Sequence, residues 1–240
     1  MDNKTPARGD QLGLDELVDD VFGLNVRGLK TIIDTLVRPR LVFDAARQAD
    51  WSGAYTPSLR LVFSILTVLG FFTFFWAGED TAFYQVLEKA ITLNADTPLT
   101  AEEMNAQITR TFGIYSAALP FVLIIIHGLF SQIIRVWGQG TPGVARLRLH
   151  MTAIVPGLVL TLLSTLATPF VPDLMITLTL VLLAAVLFAD AATAWRGSVV
   201  AQGKGSRLMK SLVFAIGSSV ATAIASSICI RLPDLLPIAG

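Results

Sequence analysis

The sequence predicts an all-α fold: a polytopic membrane helical bundle of five transmembrane helices, with amphipathic helices at the N-terminus. Three observations predict it. Of 240 residues, 53% are hydrophobic and only 15% are charged, where an ordinary soluble domain is about one quarter charged. Five apolar stretches, roughly 59–77, 112–134, 151–170, 174–194 and 209–230, each reach the ~20 residues that a helix needs to cross about 30 Å of hydrocarbon. The segments between them alternate in charge.

That alternation gives a direction. Every basic residue except Lys89, Arg110 and Arg231 lies before or at the start of the first stretch, between the second and third, or between the fourth and fifth and at the start of the fifth. The loop after the first stretch is acidic, with Glu79, Asp80, Glu88, Asp96, Glu102 and Glu103. Basic loops are retained in the cytoplasm on insertion, so the expected orientation is N-terminus inside and C-terminus outside. The 18 basic residues equal the 18 acidic ones, and no basic domain suits nucleic acid. The first residues lack the basic and short apolar regions of a signal peptide, so no cleavage is expected. Cys229 is the single cysteine, which excludes an intramolecular disulfide and a cysteine zinc site.

The elements follow in order. Residues 1–58 form a cytoplasmic or interfacial segment with two amphipathic helices. The first groups Leu14, Leu17, Val18, Val21 and Phe22 opposite Asp15, Glu16, Asp19 and Asp20. The second takes Asn25 as N-cap, gathers Val26, Leu29, Ile32, Ile33, Leu36 and Val37 on one side, and stops at Pro39. Arg38, Arg40 and Arg47 then flank Leu41, Val42 and Phe43, a pattern that suits anionic lipid headgroups. Packing of both helices under the bundle as a lid is the alternative. Residues 59–230 form the membrane domain, and Arg60 stands one turn into its first span, within reach of headgroup phosphate or of Asp190. Trp51, Tyr55, Trp137 and Trp195 suit the interfacial belt.

The outer loop, 78–111, patterns as a helix through Phe83, Val86, Leu87, Ala90 and Ile91, with a turn at Asn94–Pro98. Thr100 and Glu103 make a capping box, so the second span is expected to begin in water and run inward without a break. Pro169, Val171 and Pro172 turn the third and fourth spans into an antiparallel hairpin. In the fifth span Gly217, Ala221 and Ala225 recur at four-residue spacing, as do Ser218, Thr222 and Ser226. Small residues so spaced let helices approach and hydroxyls bond across the contact. Packing within the bundle is the first expectation and a homodimer contact the second. A short tail, 231–240, closes the chain.

Two ionisable residues fall inside predicted spans, His127 and Asp190, and such groups are costly in a membrane. At 1.5 Å per residue, His127 is about 12 Å from Arg135 and Asp190 about 9 Å from Arg196. The two therefore share a depth and can meet. The plainer expectation pairs Asp190 with Arg196 or Arg60, and His127 with a backbone carbonyl. The glycines Gly138, Gly140 and Gly143 read as a loop, since no strand precedes them and no Lys-Ser/Thr follows. Neither a metal set nor a nucleophile beside a base is present in the pattern, so no cofactor and no enzyme activity are expected.

The run from Thr35 to Phe43, with its Arg38-Pro39 step, and Tyr55-Thr56-Pro57-Ser58-Leu59-Arg60-Leu61 resemble the start of the membrane domain in an uncharacterised bacterial family. The five-span layout is similar to Yip-type (Ypt-interacting protein) membrane domains. Members of the bacterial family often carry an N-terminal cysteine zinc ribbon, which this sequence lacks. The resemblance implies a bacterial inner-membrane protein without assigned activity. The expected role is a non-enzymatic scaffold or accessory factor organising membrane components, with a small solute, proton or ion permease using His127 and Asp190 as the alternative.

Overall fold

In the computed structural model the described residues are 26–75, 82–94, 99–167, 175–197 and 199–235. The predicted helix over 14–22, Asn25, the turn over 95–98 and the hairpin turn at 169–173 lie outside them. Every regular element among the described residues is helical. They are α1 (Val26–Val37), α2 (Pro39–Ala46), a 3-10 turn (Trp51–Gly53), α3 (Ser58–Phe75), α4 (Ala82–Asn94), α5 (Ala101–Ile133), α6 (Gly143–Ala167), α7 (Met175–Gly197) and α8 (Lys204–Leu235).

The helices α5 to α8 are each long and apolar enough to cross a bilayer, which makes this a membrane-embedded helical protein. The 18 residues of α3 extend ~27 Å, a little short of the hydrocarbon thickness. The helix α5 runs 33 residues without a break. Its start is the expected capping box: the Glu103 N–H donates to Thr100 Oγ1 at 3.3 Å, and the Thr100 N–H donates to Glu103 Oε2 at 2.8 Å. On the polar side of this start, α4 packs against α5 through Leu87, Ile108 and Phe112.

The five long helices form a closed ring: α3 on α5, α5 on α8, α8 on α7, α7 on α6, and α6 back on α3. The helices α5 and α6 also touch across the middle. The core is filled by Leu61, Ile65 and Leu66 of α3, Leu149, Met151 and Ile154 of α6, and Phe214 of α8. Phe121, Ile125 and Leu129 of α5, Leu180, Val181 and Phe188 of α7, and Ile216 of α8 point outward, as lipid-facing positions must. Small residues set the closest approaches. A Cβ on Gly70 would lie 2.8 Å from the Ser116 carbonyl oxygen, and Gly217 lies against Ile134. Ala221 and Ala225 are fully buried, so the small-residue face of α8 is used inside the chain.

The basic loops gather at one end of the ring. There Ser58 Oγ donates to the Arg148 carbonyl at 3.1 Å, Arg148 Nη1 to the Gln48 carbonyl at 2.7 Å, and the Val200 N–H to the Val136 carbonyl at 3.3 Å. Arg196 Nη1 and Nη2 donate to the Leu36 and Val37 carbonyls at 3.0 and 2.6 Å, closing the end of α1. Thus α3, α6 and α8 start at this basic end, while α5 and α7 finish there.

Two expectations change, at α2 and in the aromatic belt. Pro39 ends one helix but also opens the next, sitting at the first position of α2, where a missing N–H costs nothing. Val42 and Phe43 are therefore buried against the bundle, and Gly197 lets the Phe43 ring approach to 2.7 Å of where its Cβ would stand. The helix α1 is inverted relative to a soluble protein. Its Thr31 and Thr35 are buried, whereas Val26, Leu29, Ile33, Leu36 and Val37 are exposed. The aromatic belt also shrinks: Trp51, Tyr55 and Trp137 are buried and Trp195 alone of the four is exposed, because the first three pack beneath α1 and α2.

Candidate functional site

The polar residues of the bundle interior meet where α5, α6, α7 and α8 converge. His127 of α5 and His150 of α6 are 1% and 0% exposed. Their rings approach edge to face, with His127 Nδ1 2.9 Å from His150 Nε2. His127 Nε2 lies 3.1 Å from Thr222 Oγ1 of α8. Thr222 Oγ1 in turn donates to the Ser218 carbonyl one turn earlier, at 3.1 Å. With the hydroxyl proton on that carbonyl, the Thr222 oxygen is free to accept from His127 Nε2. In that arrangement His127 is the Nε2–H tautomer, its Nδ1 accepts from His150 Nε2–H, and His150 Nδ1 carries no proton. That last atom is buried without a hydrogen-bond partner, which is uncommon for a buried polar group. The chain of bonds therefore has an open end at His150 Nδ1.

Asp190 of α7, 3% exposed, joins the same helix one turn away. Its Oδ1 accepts from the Gly157 N–H of α6 at 3.2 Å, and its carboxyl also bonds the Ser218 hydroxyl. Pro156 explains the backbone donor. A proline inside a helix disturbs the turn around it, and the Gly157 N–H points to a side chain on the facing helix. A larger residue cannot stand there, since a Cβ on Gly157 would fall 2.6 Å from Asp190 Oδ1. Farther along α8, Ser226 bonds Tyr115 of α5. The predicted hydroxyl stripe thus reaches three partners in turn: Asp190, His127 and Tyr115.

The predicted residues divide accordingly. His127 and Asp190 share the cluster, each through its own partner on α8. The plainer expectations for Asp190 give way, because its bonds go to Gly157 and Ser218, while Arg196 is occupied by α1. Arg60 stands on α3, which packs on α5 and α6, and the partners of Asp190 come from α6 and α8. Arg38, Arg40 and Arg47 are all exposed at the basic end, and Arg40 reaches Asp44 at 4.0 Å, a surface pair of little energetic weight.

His150 is the functional candidate that the span pattern missed. Arg146 and Arg148 lower the local hydropathy, so the apolar window opened one residue too late. The signal that identifies it is its spacing from Gly157: seven residues, two helical turns, place both on one face of α6. No group of three or more metal-ligating side chains occurs among the described residues. Beyond the cluster, Phe214 packs edge-on against His150 at 5.1 Å and against Trp137 at 5.2 Å. The chain matches no known protein-family model, no curated protein and no solved structure.

Proposed function

We propose that this is a bacterial inner-membrane protein of five spans, related in architecture to Yip-type domains, with its basic end in the cytoplasm, and that its interior handles protons. The alternating directions of α3 and α5 to α8 support five crossings, and the charge pattern supports the orientation. The observation that carries the proton reading is the hydrogen-bonded chain from His150 through His127 to Thr222, with the other ring nitrogen of His150 unpartnered inside the bundle. Ionisable groups so buried are retained at a cost and mark proton or ion pathways.

The chemistry needs only proton transfers. A proton arriving at His150 Nδ1 makes an imidazolium, which passes its Nε2 proton to His127 Nδ1. His127 then carries the charge and returns to neutral when its Nε2 proton passes, at the Thr222 hydroxyl, to water from the opposite face. Asp190, whose carboxyl bonds Ser218 one turn away on the same face of α8, is the second proton-exchanging group of the path. His150, His127 and Asp190 are all groups that take up and release protons, so the proposed cargo is the proton itself.

The test is proton movement into vesicles that enclose a pH-sensitive dye. Vesicles with the wild-type protein are expected to dissipate an imposed pH gradient faster than empty vesicles. His150→Ala, His127→Ala and Asp190→Asn should each return the rate to that of empty vesicles. Equal rates in wild type and all three variants would overturn the proposal.

A scaffold role is the second reading, favoured by the outward apolar face of α1 and the exposed arginines beside it. It takes precedence if wild type moves no protons while a second membrane protein co-purifies with it in mild detergent.

A further inference from the structure

Where α7 ends and α8 begins, the basic end of the bundle is indented. A groove of about 370 Å³ is lined by Trp195, Arg196, Gln202, Gly203, Lys204 and Arg207. Among the described residues, none of its three cationic side chains has a carboxylate partner. Arg196 bonds only backbone carbonyls of α1, so its charge is not cancelled. The Nε atom of Arg207 is buried without any hydrogen-bond acceptor, an expensive omission for a guanidinium. The stretch 191–212 contains no acidic residue at all. Three like charges held together around a concavity repel one another, and an anion in the groove would relieve that repulsion.

We propose that this groove binds a phosphate group, carried either by an anionic phospholipid or by a soluble phosphate ester. Arginine supplies paired donors that match phosphate oxygens, and lysine adds a mobile point charge. The first turn of α8, with unpaired N–H groups and no acidic side chain, adds to the same field. The surroundings favour the lipid. Trp195 is 43% exposed beside the groove, a suitable position at headgroup level, and Leu208 and Met209 are exposed on the following turn of α8, where acyl chains would run. This site does not depend on proton movement, since it shares no residue with the histidine cluster.

The experiment is native mass spectrometry of the full-length protein released from nanodiscs containing phosphatidylglycerol and phosphatidylethanolamine. Glycerol phosphate is added to a parallel detergent sample without lipid. Wild type is expected to retain one phosphatidylglycerol in preference to phosphatidylethanolamine. The double substitution Lys204→Gln with Arg207→Gln should weaken retention roughly thirtyfold, two surface cations being worth about 1 kcal/mol each. The substitution Lys89→Gln, on α4 away from the groove, serves as the control for charge removal alone. Retention of glycerol phosphate, lost in the double variant, would support the site and assign it to a soluble ester. The proposal fails if neither ligand is retained by wild type, or if retention survives the double variant with unchanged helix content by circular dichroism.

Discussion

Asp190 can sit in the bundle because Gly157 offers a backbone N–H and no side chain. That fit is a testable arrangement. Gly157→Ala should push a methyl group into Asp190 and Val186, costing about 1–3 kcal/mol of stability from overpacking and a lost hydrogen bond. It should also slow proton uptake. Gly197→Ala is the informative comparison, because its methyl would meet the Phe43 ring instead. Both variants should unfold at lower temperature in mild detergent, but only Gly157→Ala should change proton movement. Matching flux losses in the two would show that general loosening is the cause. At the basic end, Tyr55 donates to Asp34 at 3.1 Å beneath the Lys30 ammonium. Burial first, then the Asp34 hydrogen bond and charge, hold its hydroxyl above the ordinary 10.0. The folded protein favours the neutral phenol, so this contribution is complete below 10.0 and is lost as pH rises through the higher folded value. Tyrosinate absorbance of wild type minus that of Tyr55→Phe should show a midpoint above 10.0; one at or below it would contradict the contact.

Among the elements, α8 was the most legible in sequence and α1 the least. The four-residue spacing of Ser218, Thr222 and Ser226 gave the face that bonds across to α5 and α7, because spacing alone decides which helical side chains line up. Spacing could not name the partners, which come from other helices. For α1 the same periodicity groups Val26, Leu29, Ile33, Leu36 and Val37, which are exposed, with Ile32, which packs on the core, and leaves open whether that side meets lipid or the bundle. An amphipathic pattern fixes the relative orientation of two faces; the choice between core and lipid depends on tertiary contacts such as Arg196 with the α1 carbonyls. Val42 and Phe43 went unrecognised as core for a related reason, since Pro39 reads as a stop unless the chain resumes a helix at once. A quenching measurement checks α1 directly. In a Cys229→Ser background, a fluorophore on Ile33→Cys should be quenched by lipids brominated near the headgroup, and one on Thr35→Cys much less. Equal quenching at both would mean that the helix does not lie with Ile33 toward lipid.

At the scale of the whole molecule, the long helices were readable because hydrocarbon imposes a length that composition must satisfy. Their ends were less so: α5 begins well before its apolar window, and α6 begins eight residues before its own, since helices continue into water once capped. The ring order was not legible, because it is set by where small residues allow close approach, as at Gly70, Gly157 and Gly217. The proposed orientation predicts a simple labelling pattern in intact cells. Gln139→Cys and Gln202→Cys, both exposed at the basic end, should resist a membrane-impermeant maleimide until the membrane is opened. Glu102→Cys, exposed at the start of α5, should react at once. Reversal of the pattern would invert the molecule, and mixed labelling at the two glutamines would break the proposed span count.

The inverted α1 also bears on how the protein responds to bilayer thickness. In the proposed orientation, the exposed apolar face of α1 would lie in one interface and, tied by Arg196 to a membrane-crossing helix, would act as a float that holds the basic end at constant depth. Hydrophobic mismatch must then be absorbed elsewhere. In a thinner bilayer it is the far ends of α5 and α8 that rise into water, while the histidine cluster stays at a fixed distance from the headgroups beneath it.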